Sequence, residues 1–376
     1  MTTTQAIATN FKTSHIIAKI SCSKFNFKIN IKTAYIGKDD DFIFGHSVIL
    51  SNKHKPIKTS TPLVYGIKHG FLCSLNEGDI ILLDKNGLVQ VLWNKKLNPH
   101  DALLFITHQC NSNCIMCPQP PKKDEYSFLT INNKILDYLR NEPIQYIGIT
   151  GGEPTLKKDD LIKLLKKSQS YFPNATINLL TNAKKLEDFS LAKEISLANQ
   201  NITFCISFPS DNEDDFDGIM GAKNYHCVLK GIQNLALLRQ KIELRIVIIK
   251  QNYERLLQIS EFIYRNFPFV SHIAFMGIEV NGYAYNNFNE IYITPQEYNQ
   301  NLLESITFLH QRDMNVSIYN IPYCLIDKRL WRFTRKSISR WKQTFHTECN
   351  LCTKKNECSG LFATSKIKHY DLKPIL

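Results

Sequence analysis

Between residues 103 and 283, short apolar runs alternate with stretches whose apolar positions recur every three or four residues. The runs at 103–108, 146–150, 176–181, 202–207, 243–249 and 272–278 have the length of buried strands. Between them, Ile131, Ile135 and Leu139 share one helical face within 130–140. Leu161, Leu164, Leu165 and Ser168 repeat the arrangement, as do Val228, Ile232, Leu235 and Leu238. Strand and helix in alternation predict parallel β/α units.

The flanks have other patterns. Residues 1–100 alternate apolar and polar positions in short runs broken by Gly, Pro, Asn and Asp, the pattern of a β-rich domain. There ILLD and LVQVLW flank Lys85-Asn86-Gly87, a hairpin turn whose Asn and Gly tolerate positive φ. Cys22 and Cys73 sit in apolar strand-like runs and are expected in the core. Beyond 283, Thr294-Pro295-Gln296-Glu297 has the cap, proline and glutamate of a helix start, with the helix running to Gln311 and a strand-like VSIYN after it. Asp327 to Lys342 carries seven cations among Trp331, Phe333 and Trp341. An amphipathic helix with a solvated basic face is the expectation there, ahead of a peptide or nucleic-acid contact. The chain thus divides into 1–100, 101–315 and a Cys-rich extension at 316–376.

Composition narrows the class. A chain of 376 residues, 43% hydrophobic and 21% charged, is ordinary for a globular protein of two or three units. No apolar run approaches a membrane span and the first residues lack a signal-type apolar core, so a cytoplasmic location without membrane contact is expected. The excess of basic residues, 46 − 34 = +12, favours an anionic partner. It is spread along the chain with no nucleic-acid module, which argues against nucleic acid. Eleven cysteines in clustered spacings suit metal or redox chemistry better than disulfides.

The chemistry concentrates at Cys110, Cys114 and Cys117, spaced C-x3-C-x2-C. Three thiolates on one loop can hold three irons of a 4Fe-4S cube and leave the fourth open. A zinc knuckle closed by His108 is the alternative. One supersecondary unit later, YIGITGGEP runs a strand into Gly151 and Gly152, which admit a ligand close to the backbone, with Glu153 offering a carboxylate to an ammonium group.

Together these motifs resemble the radical S-adenosylmethionine (SAM) superfamily. The resemblance implies a partial (β/α)6 barrel, a SAM-binding 4Fe-4S cluster on the three cysteines, and a turn of Gly151, Gly152, Glu153 and Pro154 holding the methionyl amino group of SAM. Residues just past each strand become candidates: Thr181, Asn182, Ser207, Lys250 and the Gly277 region. The resemblance puts Ser207 at the ribose or carboxylate of SAM, although its hydroxyl equally suits a turn before Pro209. Cys205 reads as a packed core thiol or a pocket-lining one, and Cys227 as structural.

Cys349, Cys352 and Cys358 follow as C-x2-C-x5-C, with Cys324 upstream. Four thiolates close either a zinc site or a second 4Fe-4S cluster. The spacing resembles SPASM or twitch extensions, but the further cysteine of that pattern is replaced by Phe362, which favours one auxiliary cluster. The N-terminal unit ending in EGDIILLDKNGLVQVLW, the CNSNCIMCPQPPK loop, FMGIEVNGYA and the block from SIYNIPYC to SISRWK are similar to the His-Xaa-Ser system radical SAM maturase family, HxsC. That resemblance implies an enzyme that cleaves SAM reductively to a 5′-deoxyadenosyl radical and modifies a ribosomally made precursor peptide with His-Xaa-Ser repeats. It also implies a partner radical SAM maturase and a reductase, flavodoxin or ferredoxin as electron donor. An enzyme acting on RNA, and a non-enzymatic Fe-S or zinc protein that binds nucleic acid, are the competing readings.

Overall fold

The computed structural model describes residues 2–23, 25, 32–36, 45–54, 59–367 and 372–376, so parts of the 1–100 and 316–376 spans lie outside the described residues. The chain forms two compact units, one of residues 1–104, 127–147 and 170–175, the other of 105–126, 148–169 and 176–376.

In the first unit eight short strands make one sheet: β1 (Thr3–Gln5), β2 (Ile7–Thr9), β3 (His15–Ser21), β4 (Thr33–Ile36), β5 (Val48–Leu50), β6 (Leu63–Tyr65), β7 (Ile80–Asp84) and β8 (Leu88–Trp93). Their order is β1-β8-β7-β3-β4-β5-β6-β2. The two outer members are consecutive pieces of one strand, separated by Ala6, whose N–H donates to the Gly87 carbonyl at 2.9 Å. The sheet therefore closes on itself and hides its edges. Ala18, Ala34, Val48, Leu50, Val64, Ile81 and Leu83 fill it. The Asn86-Gly87 turn forms as expected, with Gly87 at φ +88°. Cys22 and Cys73 are exposed, contrary to expectation. Cys22 lies one residue past the end of β3, and Cys73 sits on the helix His69–Ser74, which buries Leu72 instead.

The second sheet comprises β9 (Asp101–Phe105), β10 (Tyr146–Thr150), β11 (Thr176–Thr181), β12 (Ile202–Ser207), β13 (Lys241–Val247), β14 (His272–Met276), β15 (Val316–Tyr319) and β16 (Thr334–Arg335), ordered β16 through β9 in sequence. β9 and β10 enter the second unit by their C-terminal ends. Every pairing from β11 to β16 is parallel. These are the parallel β/α units that the alternation predicts, curled into the α/β half-barrel that the resemblance implies. One face carries Ile177, Leu179, Phe204, Ile206, Leu244, Ile246 and Phe275, all fully buried. The helices Lys158–Tyr171 and Tyr225–Leu237 bury Leu161, Leu164 and Leu165, and Val228, Ile232 and Leu235. The helix Pro295–His310 has its capping box, with Glu297 bonded back to Thr294.

One element differs in kind. In place of an amphipathic helix over 327–342 there is a 3-10 turn, Lys328–Phe333, followed by β16 and irregular chain. Leu330 and Phe333 are buried, and Thr334 joins the sheet beside Ile318. Pairing with an open sheet edge outweighs the propensity of a stretch in which β-branched Thr334 and two serines weaken the helix. Its cations are largely engaged within the chain. Arg329 pairs with Asp327 at 2.7 Å, Lys342 with Glu279 at 2.9 Å, and Arg335 donates to the Arg332 and Thr334 carbonyls.

Candidate functional site

The site grows from the end of β9. The Thr107 hydroxyl and the His108 N–H both donate to Asp124 at 2.6 Å, which turns the chain out of the strand direction before the residue-108 limit expected from its apolar run. The opened backbone is met by the turn after β10. Gly152 N–H donates to the Thr107 carbonyl at 2.7 Å and Glu153 N–H to the Gln109 carbonyl at 2.8 Å. A Cβ on Gly152 would stand 2.2 Å from the Gln109 oxygen, and one on Gly151 2.6 Å from that of Thr107. Both glycines are thus required by backbone approach.

The cysteine loop itself is held from three further directions. Asn182, just past β11, donates through Nδ2 to Asn111 Oδ1 at 2.7 Å and to Ser112 Oγ at 3.2 Å, and its Nδ2 lies 3.9 Å from Cys110 Sγ. The N–H groups of Asn113 and Ile115 donate to the carbonyls of Met220 and Ile219, at the end of the helix Glu213–Met220. Tyr283 N–H donates to the Cys117 carbonyl at 2.9 Å, and Asn287 Nδ2 to that of Ile115 at 3.0 Å. Asn224 adds a 2.7 Å bond to Ser112. The roles of Ser112, Met220 and Asn224 are invisible in the sequence, because no local pattern pairs residues more than a hundred positions apart.

Burial pushes the Cys114 thiol up to about 12, with Cys117 and Cys110 adding to the rise, and lifts Cys110 and Cys117 in the same direction. The three sulfurs are near enough to repel one another as thiolates. Among the described residues no group of three or more His, Cys, Asp or Glu is arranged to hold a single metal ion. Ligands of a 4Fe-4S cube bind separate irons and need not converge on one point, so three neighbouring thiols on a braced loop fit such a cluster. His108 packs on Phe105 with ring centroids 4.7 Å apart.

Glu153 is wholly buried. Its Oε1 accepts from the Thr155 N–H (3.0 Å) and hydroxyl (2.6 Å) and from the Thr181 hydroxyl (2.7 Å), and its Oε2 from the Asn182 N–H (2.7 Å). Desolvation raises its pKa while these bonds lower it, and burial prevails. The carboxylate joins the turn after β10 to the end of β11, where Asn182 holds the cysteine loop. Pro154 opens the short 3-10 helix that Glu153 caps.

Ser207 ends β12 opposite Arg245. Lys250 donates to the Asn289 carbonyl at 3.0 Å. A Cβ on Gly277 would lie 2.8 Å from the Asn320 carbonyl. Cys205 is a core thiol, 2% exposed.

The four late cysteines come together. Cys324, Cys349, Cys352 and Cys358 line one partly open pocket of about 440 Å³ with Tyr323 and Phe345. Burial, then Cys358 and Cys349, push the Cys324 thiol up to about 11. Phe362 lies on the strand Leu361–Phe362, paired with Gln343–Thr344.

Residues 104–263 match the Radical SAM superfamily. A protein of Methanocaldococcus jannaschii named as a glycyl-radical enzyme activating enzyme is 31% identical over 139 residues, 31% of this chain and 52% of that protein. A GTP 3′,8-cyclase of Mannheimia succiniciproducens is 26% identical over 224 residues, 56% of this chain and 62% of the cyclase. The chain thus spans between about half and two thirds of the length of these curated relatives. The crystal structure of Streptococcus suis SuiB bound to S-adenosylmethionine shares the fold with a TM-score of 0.50 and 19% identity, over 60% of this chain and 52% of SuiB. The cysteine loop lies within the residues that match the Radical SAM superfamily, and the likeness to SuiB is one of fold. No helix among the described residues is long and apolar enough to cross a membrane.

Proposed function

We propose that the chain is a radical SAM enzyme that modifies a ribosomally made peptide with His-Xaa-Ser repeats. The observation that carries the enzymatic part is the loop of Cys110, Cys114 and Cys117, braced on three sides at the C-terminal mouth of the half-barrel, where catalytic groups of such sheets gather. Cys110, Cys114 and Cys117 would hold a 4Fe-4S cluster there, which would supply the electron that cleaves SAM to methionine and a 5′-deoxyadenosyl radical.

The chain's own share is placement. The three thiols would hold the cluster, and the turn of Gly151, Gly152, Glu153 and Pro154 would receive the SAM amino group, its two glycines packed on the backbone that leads into the cysteine loop and the Glu153 carboxylate fixing it from behind. Ser207 faces the same mouth and contacts the ribose or carboxylate of SAM. Cys324, Cys349, Cys352 and Cys358 hold a second 4Fe-4S cluster. A precursor peptide, a partner radical SAM maturase and a reductase, flavodoxin or ferredoxin donor complete the system. The peptide assignment is supported by the HxsC-like stretches, CNSNCIMCPQPPK and FMGIEVNGYA among them.

The test is anaerobic turnover with SAM and reductant. Wild type is expected to form 5′-deoxyadenosine and to change the mass of a His-Xaa-Ser peptide, a loss of two hydrogens marking a cross-link. The variant with Cys110, Cys114 and Cys117 all changed to Ala is expected to form none. Turnover in that variant sinks the cluster assignment. Consumption of GTP with the peptide left unchanged moves the substrate to that of the cyclase relatives.

A further inference from the structure

A side-chain amide has two unlike ends, and the fold commits those of Asn182 separately. The residue follows the last position of β11 and is 7% exposed. Its own N–H donates to Glu153 Oε2 at 2.7 Å, and its Oδ1 accepts from the Lys184 N–H at 3.1 Å. With the oxygen engaged by a backbone donor, the NH2 end has to face the cysteine loop. There Nδ2 lies 2.7 Å from Asn111 Oδ1, 3.2 Å from Ser112 Oγ and 3.9 Å from Cys110 Sγ. The two oxygens are braces of the loop, whereas the sulfur is one of its metal ligands.

Bracing the loop and donating to its sulfur are separable tasks. Asn224, 1% exposed, also braces the loop, through its 2.7 Å bond to Ser112 Oγ. Asn182 does this and reaches a cysteine as well. The same Cys110 sulfur accepts from the backbone N–H groups of Asn111 and Ser112, so Asn182 adds a side-chain donor where backbone donors already gather. Reduction adds negative charge to an iron–sulfur cluster, and a donor aimed at a ligand sulfur stabilises that charge. Hydrogen bonds to the sulfurs are among the levers that set such potentials.

We propose that Asn182 raises the reduction potential of the 4Fe-4S cluster on Cys110, Cys114 and Cys117 by donating from its amide to the Cys110 sulfur. The proposal rests on the cluster reading of that loop, and Asn182 acts in it as a positioning residue, through Cys110. Full-length protein reconstituted anaerobically with iron and sulfide is titrated with reductant under electron paramagnetic resonance. The signal followed is the one missing from the variant with Cys110, Cys114 and Cys117 changed to Ala. Asn182→Leu keeps the volume and removes the donor. At a fixed poise its ratio of reduced to oxidised cluster is expected to fall about tenfold, the scale of one hydrogen bond to a charged group. Asn182→Asp keeps the shape and the acceptor for Lys184 but turns an anionic oxygen toward the sulfur, and its ratio is expected to fall further. Asn224→Leu removes a brace from the same loop and is expected to leave the ratio unchanged.

A wild-type ratio in Asn182→Leu, or an equal fall in Asn224→Leu, overturns the tuning. Loss of iron from the first site in both Asn182 variants makes the residue a brace alone and overturns it as well. A wild-type spectrum with no signal beyond that of the triple cysteine variant is the different failure, that of the cluster reading itself, and the tuning falls with it.

Discussion

The chain gathers cysteines twice, and the two groups are built in opposite ways. Cys110, Cys114 and Cys117 sit on a loop clamped by the ends of strands and helices, through the backbone of Gly152 and Glu153, the amide of Asn182 and the carbonyls of Ile219 and Met220. Cys324, Cys349, Cys352 and Cys358 line a pocket among 3-10 turns and two-residue strands. That segment is tied on mainly by Lys342 and Thr364 to Glu279 and by Ser365 and Lys366 to Val280. The first group is preorganised by the fold. The second has little regular structure around it, so a metal bound there contributes to its folding.

The comparison breaks most visibly under metal removal. In the variant with Cys110, Cys114 and Cys117 changed to Ala, about four irons per chain are expected to remain, as a cluster held by four cysteines requires. Chelation of that remaining metal should raise amide exchange across 343–362 and leave β11 and β12 protected. Zinc without iron in the variant would make the late site structural, and unchanged exchange after chelation would show that the segment folds without metal.

Gly152→Ala tests the clamp on the first group. Its Cβ must displace the Gln109 carbonyl, so a loss of about 1–3 kcal/mol is expected by denaturant titration, on the scale of overpacking. Loss of iron from the first site should accompany it, with the second site retained. Full stability and full iron content would show that the backbone approach is dispensable.

Glu153→Gln is nearly isosteric but turns one acceptor oxygen into a donor facing the Asn182 N–H or the Thr155 and Thr181 groups. A cost of about 1–3 kcal/mol is expected in the absence of any ligand. A change confined to SAM affinity would instead mean that the carboxylate serves the cofactor directly. Glu279→Gln should have the smallest effect, about 0.5–1 kcal/mol for an ion pair near the surface. It is expected to raise exchange in 342–366 alone, and a comparable rise around Cys110 would show that the two sites are coupled.

The periodicities of this chain determine much of its architecture. Burial of a strand or helix face is a local demand, so β10, β11 and β12 appear at the residues their apolar runs mark, and the Thr294 capping box forms from four adjacent residues. The cysteine spacing and the Gly-Gly-Glu-Pro turn are equally local, because one loop and one turn carry them. Tertiary structure decided what depends on neighbours distant in sequence. It made Thr334–Arg335 an edge strand where a helix was expected, and left Cys22 and Cys73 exposed. It surrounded Glu153 with donors from Thr155, Thr181 and Asn182, and it set Arg245 and His272 on the buried carboxylate of Glu243. Each of those outcomes follows from which groups remain to satisfy a buried charge, a hydrogen bond or a sheet edge once the chain has folded, and no spacing along the chain encodes that.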